Sequence, residues 1–202
     1  MSKAGGAHDP PTPAREERRT FADRIRTFGR RRESDRLRAF LGSAPGASLL
    51  DVGGGTGAFT SRFARDFRAV TVLEPIPRRV EQGRARRPWI EFAVGKGESI
   101  PAPPGSYARV TAIRSVHHMD SPAAFAAEAF RVLLPGGRLI VEEMTGRSLL
   151  GRLVMGPPGG PPRHGMHRLS PDMLVPLLRA AGFDPVVVET GRAWYFAIAD
   201  RP

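Results

Sequence analysis

Hydrophobic positions along this chain fall into short blocks that alternate between two periods. Leu49, Leu50 and Val52 make a brief apolar run, as expected of a strand buried on both faces. From Ala58 to Phe67 the spacing changes. Phe59, Phe63 and Phe67 recur at i, i+4 and i+8, which predicts a helix with one buried stripe. The alternation continues downstream. Ala69–Leu73 predicts a second strand that ends at Glu74, and an Arg-rich helix follows Pro77. Ile90, Phe92 and Val94 alternate as a third strand, and Arg109–Arg114 is a fourth. Ser121 and Pro122 open the next helix, because Ser caps the free N–H groups and Pro suits the first turn. Its apolar face carries Phe125, Ala129, Val132 and Leu133, and Pro135-Gly136-Gly137 stops it before a fifth strand at Arg138–Glu142. A last helix begins at Ser170-Pro171, with Leu174, Leu177, Leu178 and Ala181 on one face. Pro176 predicts a kink in it and Gly182 suits its C-terminal cap. Pro185–Glu189 and Trp194–Ala199 read as two strands, and the short link Thr190-Gly191-Arg192 demands an antiparallel hairpin.

Strands and helices in this order predict an α/β fold. The expectation is a Rossmann-like doubly wound sheet, mostly parallel with an antiparallel C-terminal hairpin strand, and helices on both faces. Ligands of such sheets bind outside the carboxyl ends of the strands. Residues 1–14 read as a disordered tail and 15–202 as one domain. Within it, helical signals run over 15–44, with Phe21, Ile25 and Phe28 on one face, then Leu37 and Leu41, and the arginine run between them as a place for a break into two helices. Residues 145–169 break the rhythm with a Pro/Gly run at Gly156–Pro162, and a loop of that length reads as a lid or binding loop.

Composition narrows the chemistry. The 202 residues suit one domain with a full core, and 41% hydrophobic content is within the globular range. No apolar run approaches the ~18 residues that span a bilayer, and Met1–Pro13 lacks a secretory apolar region. The expectation is a cytoplasmic protein. The absence of cysteine excludes disulfides, thiolate metal sites, iron–sulfur ligation and thiolate nucleophiles. Net charge is +11, and only Lys3 and Lys96 among the cations are not arginine. The charge is spread along the chain. Runs at Arg30–Arg32 and Arg84–Arg87 read as solvated faces, with nucleic-acid binding a lesser alternative.

Candidate chemistry centres on the turn after the first strand. Gly53, Gly54, Gly55 and Gly57 lie in so short a span that the turn reads as shaped around a ligand. The helix expected behind it would offer free N–H groups to an anion. A dinucleotide fingerprint needs a third glycine where Thr60 stands, and a P-loop needs a Gly-Lys-Ser/Thr that does not follow. What remains, Asp51 followed by Gly53, Gly55 and Gly57, resembles motif I of the class I S-adenosylmethionine-dependent methyltransferases. Glu74, at the end of the second strand, can accept hydrogen bonds from both ribose hydroxyls, and Ile76 can pack on adenine. Ile113–Asp120 resembles motif IV of that family, its Ile-Arg-x-Val order being similar to the quinone-biosynthesis members. Leu134–Leu139 resembles its Leu-x-Pro-Gly-Gly-x-Leu motif, and Ala180–Phe183 its Ala-Gly-Phe. The resemblance covers roughly residues 45–202 and is nearest to the small-molecule type 11 subgroup.

It implies binding of S-adenosylmethionine, with S-adenosylhomocysteine as product, and in-line methyl transfer to a small-molecule acceptor. Cofactor-binding residues would be Asp51, Gly53, Gly55, Gly57, Glu74, Ile76, Gly97, Glu98 and Ser115. His117 or His118 would serve as general base where the acceptor must lose a proton; the competing and favoured reading is that the pair simply supports the loop after the fourth strand. Glu142 and Glu143 are candidates for the acceptor pocket. His164 and His167 have no carboxylate close by in their loop, so no metal is expected. One position departs from the family. Val94–Pro101 resembles its Gly-Asp-Ala-Glu-x-Leu-Pro stretch, whose Asp accepts from the adenine amino group, but Lys96 stands there. An ammonium has three donors and no acceptor, so a weaker grip on adenine is expected. Two alternatives stay open: an RNA methyltransferase, against which stands the absence of an Asn/Asp-Pro-Pro-Tyr/Phe motif after the fourth strand, and a degenerate, non-catalytic module that binds S-adenosylmethionine or its product.

Overall fold

The computed structural model describes residues 33–42, 46–144, 169–191 and 194–202. The expected tail over 1–14, the start of the N-terminal helices and the loop over 145–168 lie outside the described residues. The chain divides into two units, Met1–Arg36 and Leu37–Pro202. Residues 33–36 of the first are helical. The second opens with helix α1 (residues 37–41).

Seven strands form one sheet: β1 (Ser48–Val52), β2 (Ala69–Glu74), β3 (Glu91–Val94), β4 (Tyr107–Ile113), β5 (Leu133–Met144), β6 (Val186–Thr190) and β7 (Trp194–Asp200). Their spatial order is β3-β2-β1-β4-β5-β7-β6. The first five pair in parallel, whereas β7 pairs antiparallel with both β5 and β6, as the short C-terminal link requires. Helices α2 (Pro77–Arg86), α3 (Pro122–Val132) and α4 (Pro171–Ala180) complete the described unit.

The apolar runs explain the layering. Successive strand residues face opposite sides of the sheet. Leu50, Val110, Ala112, Leu139 and Val141 bury into one cluster with Phe125 and Ala129 of α3 and Leu174 and Leu178 of α4. Leu49, Val70, Val72 and Ile140 bury into the other with Leu37 and Leu41 of α1, Phe63 and Val80 of α2. Ser121 caps α3 as expected, its hydroxyl accepting from the Ala124 N–H at 3.2 Å. Helix α4 runs through Pro176 without a break in the assigned helix.

Two expectations are corrected. The segment Ala58–Phe67 is not an α-helix but two short 3-10 turns, Thr60–Arg62 and Ala64–Asp66. The aromatic stripe still packs, with Phe63 fully buried and Phe59 and Phe67 against the same cluster. Lateral bonds explain the tighter winding. The Arg62 carbonyl accepts from the Arg38 guanidinium, and the Asp66 N–H donates instead to Phe63 O, one residue nearer than an α-helix would use. The fifth strand also starts earlier than expected. Leu133 already pairs with Tyr107, and the register then shifts so that Arg138 pairs with Arg109, leaving the Pro-Gly-Gly segment as an irregularity inside the strand.

Candidate functional site

The strand order reverses between β1 and β4, and the turns beyond the carboxyl ends of β1, β2, β3 and β4 enclose a cavity of about 450 Å³. Gly53, Glu74, Ile76, Gly97, Glu98, Ser115 and His118 line it, together with Lys96, Arg114, Met119 and Asp120. Sheet register brings these together: Asp51 pairs with Val72 on one side and Thr111 on the other, so the ends of three strands finish side by side.

Gly53 sits at φ 75°, and a Cβ there would come within 2.5 Å of the Ser115 Cβ. Ser115 is held in place because its hydroxyl donates to Val52 O at 2.8 Å. The turn thus closes against β4 by contact and leaves space on its outer side. Gly55, also at positive φ, donates its N–H to Glu74 Oε2 at 3.1 Å. Glu74 is 2% exposed, and its other oxygen accepts from the Ile76 N–H at 3.2 Å and from Arg79 Nη1 at 3.4 Å. Because the following segment winds as 3-10 turns of three residues, the expected helix terminus is not what faces the cavity.

Asp51 and Gly57 lie elsewhere. Asp51 is turned beneath the turn, its oxygens accepting from the Thr60 and Thr111 hydroxyls. Burial pushes its carboxyl up to about 6, against the opposing pull of those two hydroxyls. Gly54 packs directly above it, since a Cβ there would meet Asp51 Oδ2 at 2.5 Å. Thr60, which sequence reasoning treated only as a missing glycine, is therefore an anchor of the turn. Gly57 makes room for Phe92, whose ring would lie 2.9 Å from an added Cβ.

The two histidines divide. His117 is buried, with Nδ1 at 2.6 Å from Glu143 Oε2, and its backbone N–H donates to Glu143 Oε1 at 3.2 Å. His118 is exposed to the cavity, and its ring centroid lies 4.0 Å from that of His117. Partial burial holds the His118 pKa below the ordinary histidine value, with His117 and Arg79 acting in the same direction and Glu143 opposing them. Glu142 accepts from Arg114 Nε at 3.0 Å and Nη2 at 2.9 Å, and the Arg114 guanidinium lies 3.8 Å over the Trp194 ring. Glu142 is thus the partner of the cavity-lining Arg114, and Glu143 that of the buried His117 ring. Residue spacing held no signal for either pairing, because the partners are more than 25 positions apart in sequence.

The donor set fits a nucleoside: a buried carboxylate at the end of β2, an adjacent glycine without side-chain bulk, and apolar Ile76 and Met119 at the cavity wall. Residues 50–141 match the family model described as a methyltransferase domain. That match takes in a little under half of the chain, which over this stretch is similar to a methyltransferase domain. It is 32% identical over 105 residues to a demethylmenaquinone methyltransferase of Renibacterium salmoninarum, covering 52% of this chain and 44% of that protein. It is 34% identical over 107 residues to a 2-methyl-6-phytyl-1,4-hydroquinone methyltransferase of Synechocystis, covering 51% and 34%. The chain thus spans less than half the length of either relative. Among solved structures, the cyclase SpnF superposes with a TM-score of 0.70 at 22% identity, covering 85% of this chain and 81% of that one. That likeness is one of fold. Among the described residues, no helix is long and apolar enough to cross a membrane.

Proposed function

We propose that this chain transfers the methyl group of S-adenosylmethionine to a small-molecule acceptor bearing an ionisable ring hydroxyl. The carrying observation is the pairing of the buried Glu74 carboxylate with the cavity-facing His118 across one cavity. The hydroquinone and menaquinone acceptors in the relatives' names support the class of acceptor.

When bound, S-adenosylmethionine supplies a methyl group already activated by its sulfonium. The protein's task is then placement and proton management. Glu74 holds the ribose end, with its own geometry braced by the Gly55 and Ile76 N–H groups. Gly53 and Ser115 shape the floor. His118 accepts the acceptor's hydroxyl proton at a ring nitrogen, which raises electron density at the ring atom to be methylated. Its lowered pKa keeps it neutral, and so able to accept, near pH 7. His117 is less suited, because Glu143 occupies its Nδ1 and the ring is buried. It acts instead as a fixed platform beneath His118.

Calorimetry with S-adenosylhomocysteine tests the reading, followed by mass-spectrometric detection of methyl transfer to a hydroquinone acceptor. The wild type should bind, and Glu74→Ala should weaken binding by about tenfold or more, as expected for a lost hydrogen bond to a charged group. No binding by the folded wild type would overturn the proposal.

A further inference from the structure

Lys96 departs from the motif that the stretch Val94–Pro101 resembles, and the tertiary structure places a carboxylate beside it. Lys96 stands where the family pattern has an acceptor for the adenine amino group. Its Nζ lies 2.9 Å from Asp120 Oδ2, a residue brought in from beyond β4, and both line the cavity. The backbone around Asp120 is also fixed. Its N–H donates to Glu98 Oε1 at 2.7 Å, and the Ser121 N–H reaches the same oxygen at 3.4 Å. Glu98, a candidate acceptor by sequence, therefore spends one oxygen holding this loop. Gly97 closes the corner, since a Cβ there would meet Met119 Cε at 2.8 Å.

We infer that Asp120 has taken over recognition of the adenine amino group, with Lys96 as the brace that holds its carboxylate at the cavity edge. This rests on the proposed binding of S-adenosylmethionine. The chemistry is a matter of donors and acceptors. An adenine amino group donates, so it needs an acceptor, and Lys96 has none while the Asp120 carboxylate does. A carboxylate paired with an ammonium, on a loop whose Asp120 and Ser121 N–H groups donate to Glu98, remains an acceptor in place. The acceptor has moved from the loop after β3 to the loop after β4. Discrimination between a 6-amino and a 6-oxo purine follows, because the 6-oxo group accepts where the amino group donates.

Calorimetry with two probes tests this: S-adenosylhomocysteine and its 6-oxo counterpart, S-inosylhomocysteine. The wild type should prefer the adenosyl compound. Asp120→Ala should weaken it by about tenfold and leave the inosyl compound unchanged or improved. Restoring an acceptor in the double variant K96D/D120A should recover the adenosyl affinity. Equal loss of both probes in Asp120→Ala would signify loop collapse and overturn the assignment. So would an unchanged adenosyl affinity, or a wild type that prefers the inosyl compound. Wild-type protein that binds neither probe would instead refute the underlying cofactor reading.

Discussion

Gly53→Ala perturbs the site where its turn packs against Ser115, and the structure sets the size of the effect. At φ 75° an alanine occupies the left-handed region, which costs about 1–2 kcal/mol. Its Cβ would also lie 2.5 Å from the Ser115 Cβ and 3.1 Å from the Ser115 Oγ. Ser115 cannot swing away cheaply, since it is 7% exposed and its hydroxyl is bonded to Val52 O. Overpacking of this kind adds about 1–3 kcal/mol. The sum of roughly 2–5 kcal/mol lowers Tm by about 10 °C in a domain of this size. Gly55→Ala is the matched control. It has φ 62° but meets nothing within 4 Å, so it should cost only the backbone part and lower Tm by about 4 °C. Thermal denaturation of both variants, with and without S-adenosylhomocysteine, separates the contact from the strain. In the double variant G53A/S115G the missing Cβ should return at least about 1 kcal/mol to G53A. Equal costs for Gly53→Ala and Gly55→Ala, or no recovery in the double variant, would refute the packing argument.

Two other measurements probe the titrating groups. His118→Ala should lower kcat by about 100-fold with S-adenosylhomocysteine affinity unchanged, whereas His117→Ala should act mainly on stability. In the wild type, the acidic limb of the kcat/KM profile, which reports the free enzyme, should fall below the ordinary histidine value of 6.5, because burial and His117 disfavour the protonated ring; a limb above that value would contradict the assignment. Asp51 offers a stability test. Its folded pKa of about 6 exceeds the ordinary 3.8, so the folded state holds the proton more tightly. The stabilisation is full below pH 3.8 and is lost as pH rises through 6, by up to about 3 kcal/mol. Urea denaturation at pH 4.5 and 7.5 should show a smaller pH dependence of this sign in Asp51→Asn than in wild type, and an identical dependence would remove Asp51 as its source.

Much of the fold was legible because near neighbours decide it. Strand β1, Ser48–Val52, takes in the apolar run Leu49, Leu50 and Val52, since a run of buried residues bounded by Gly46 and Gly53 has few other solutions. Helix α3 begins where Ser121 predicts, because a cap acts within one turn, whereas its end at Val132 comes before the Pro-Gly-Gly run, since Leu133 is already paired with Tyr107 of β4. The carboxyl-end grouping of Gly53, Glu74 and Ser115 followed from the parallel order alone. The helical stripe Phe59-Phe63-Phe67 misled because its burial pattern was right while its hydrogen bonds were settled by Arg38, from another element.

By itself, then, the sequence determined the alternating layers, the parallel sheet with its antiparallel end, and the glycine turn with an acid on the next strand. These depend on periodicity, caps and backbone freedom, all properties of short stretches. Only the tertiary structure decided which histidine faces the cavity, that Asp51 lies beneath the turn, and that Lys96 meets Asp120. Each of those is a pairing between segments brought together by sheet register. Spacing along the chain carries no record of such partners, because the contact exists only once the strands have aligned.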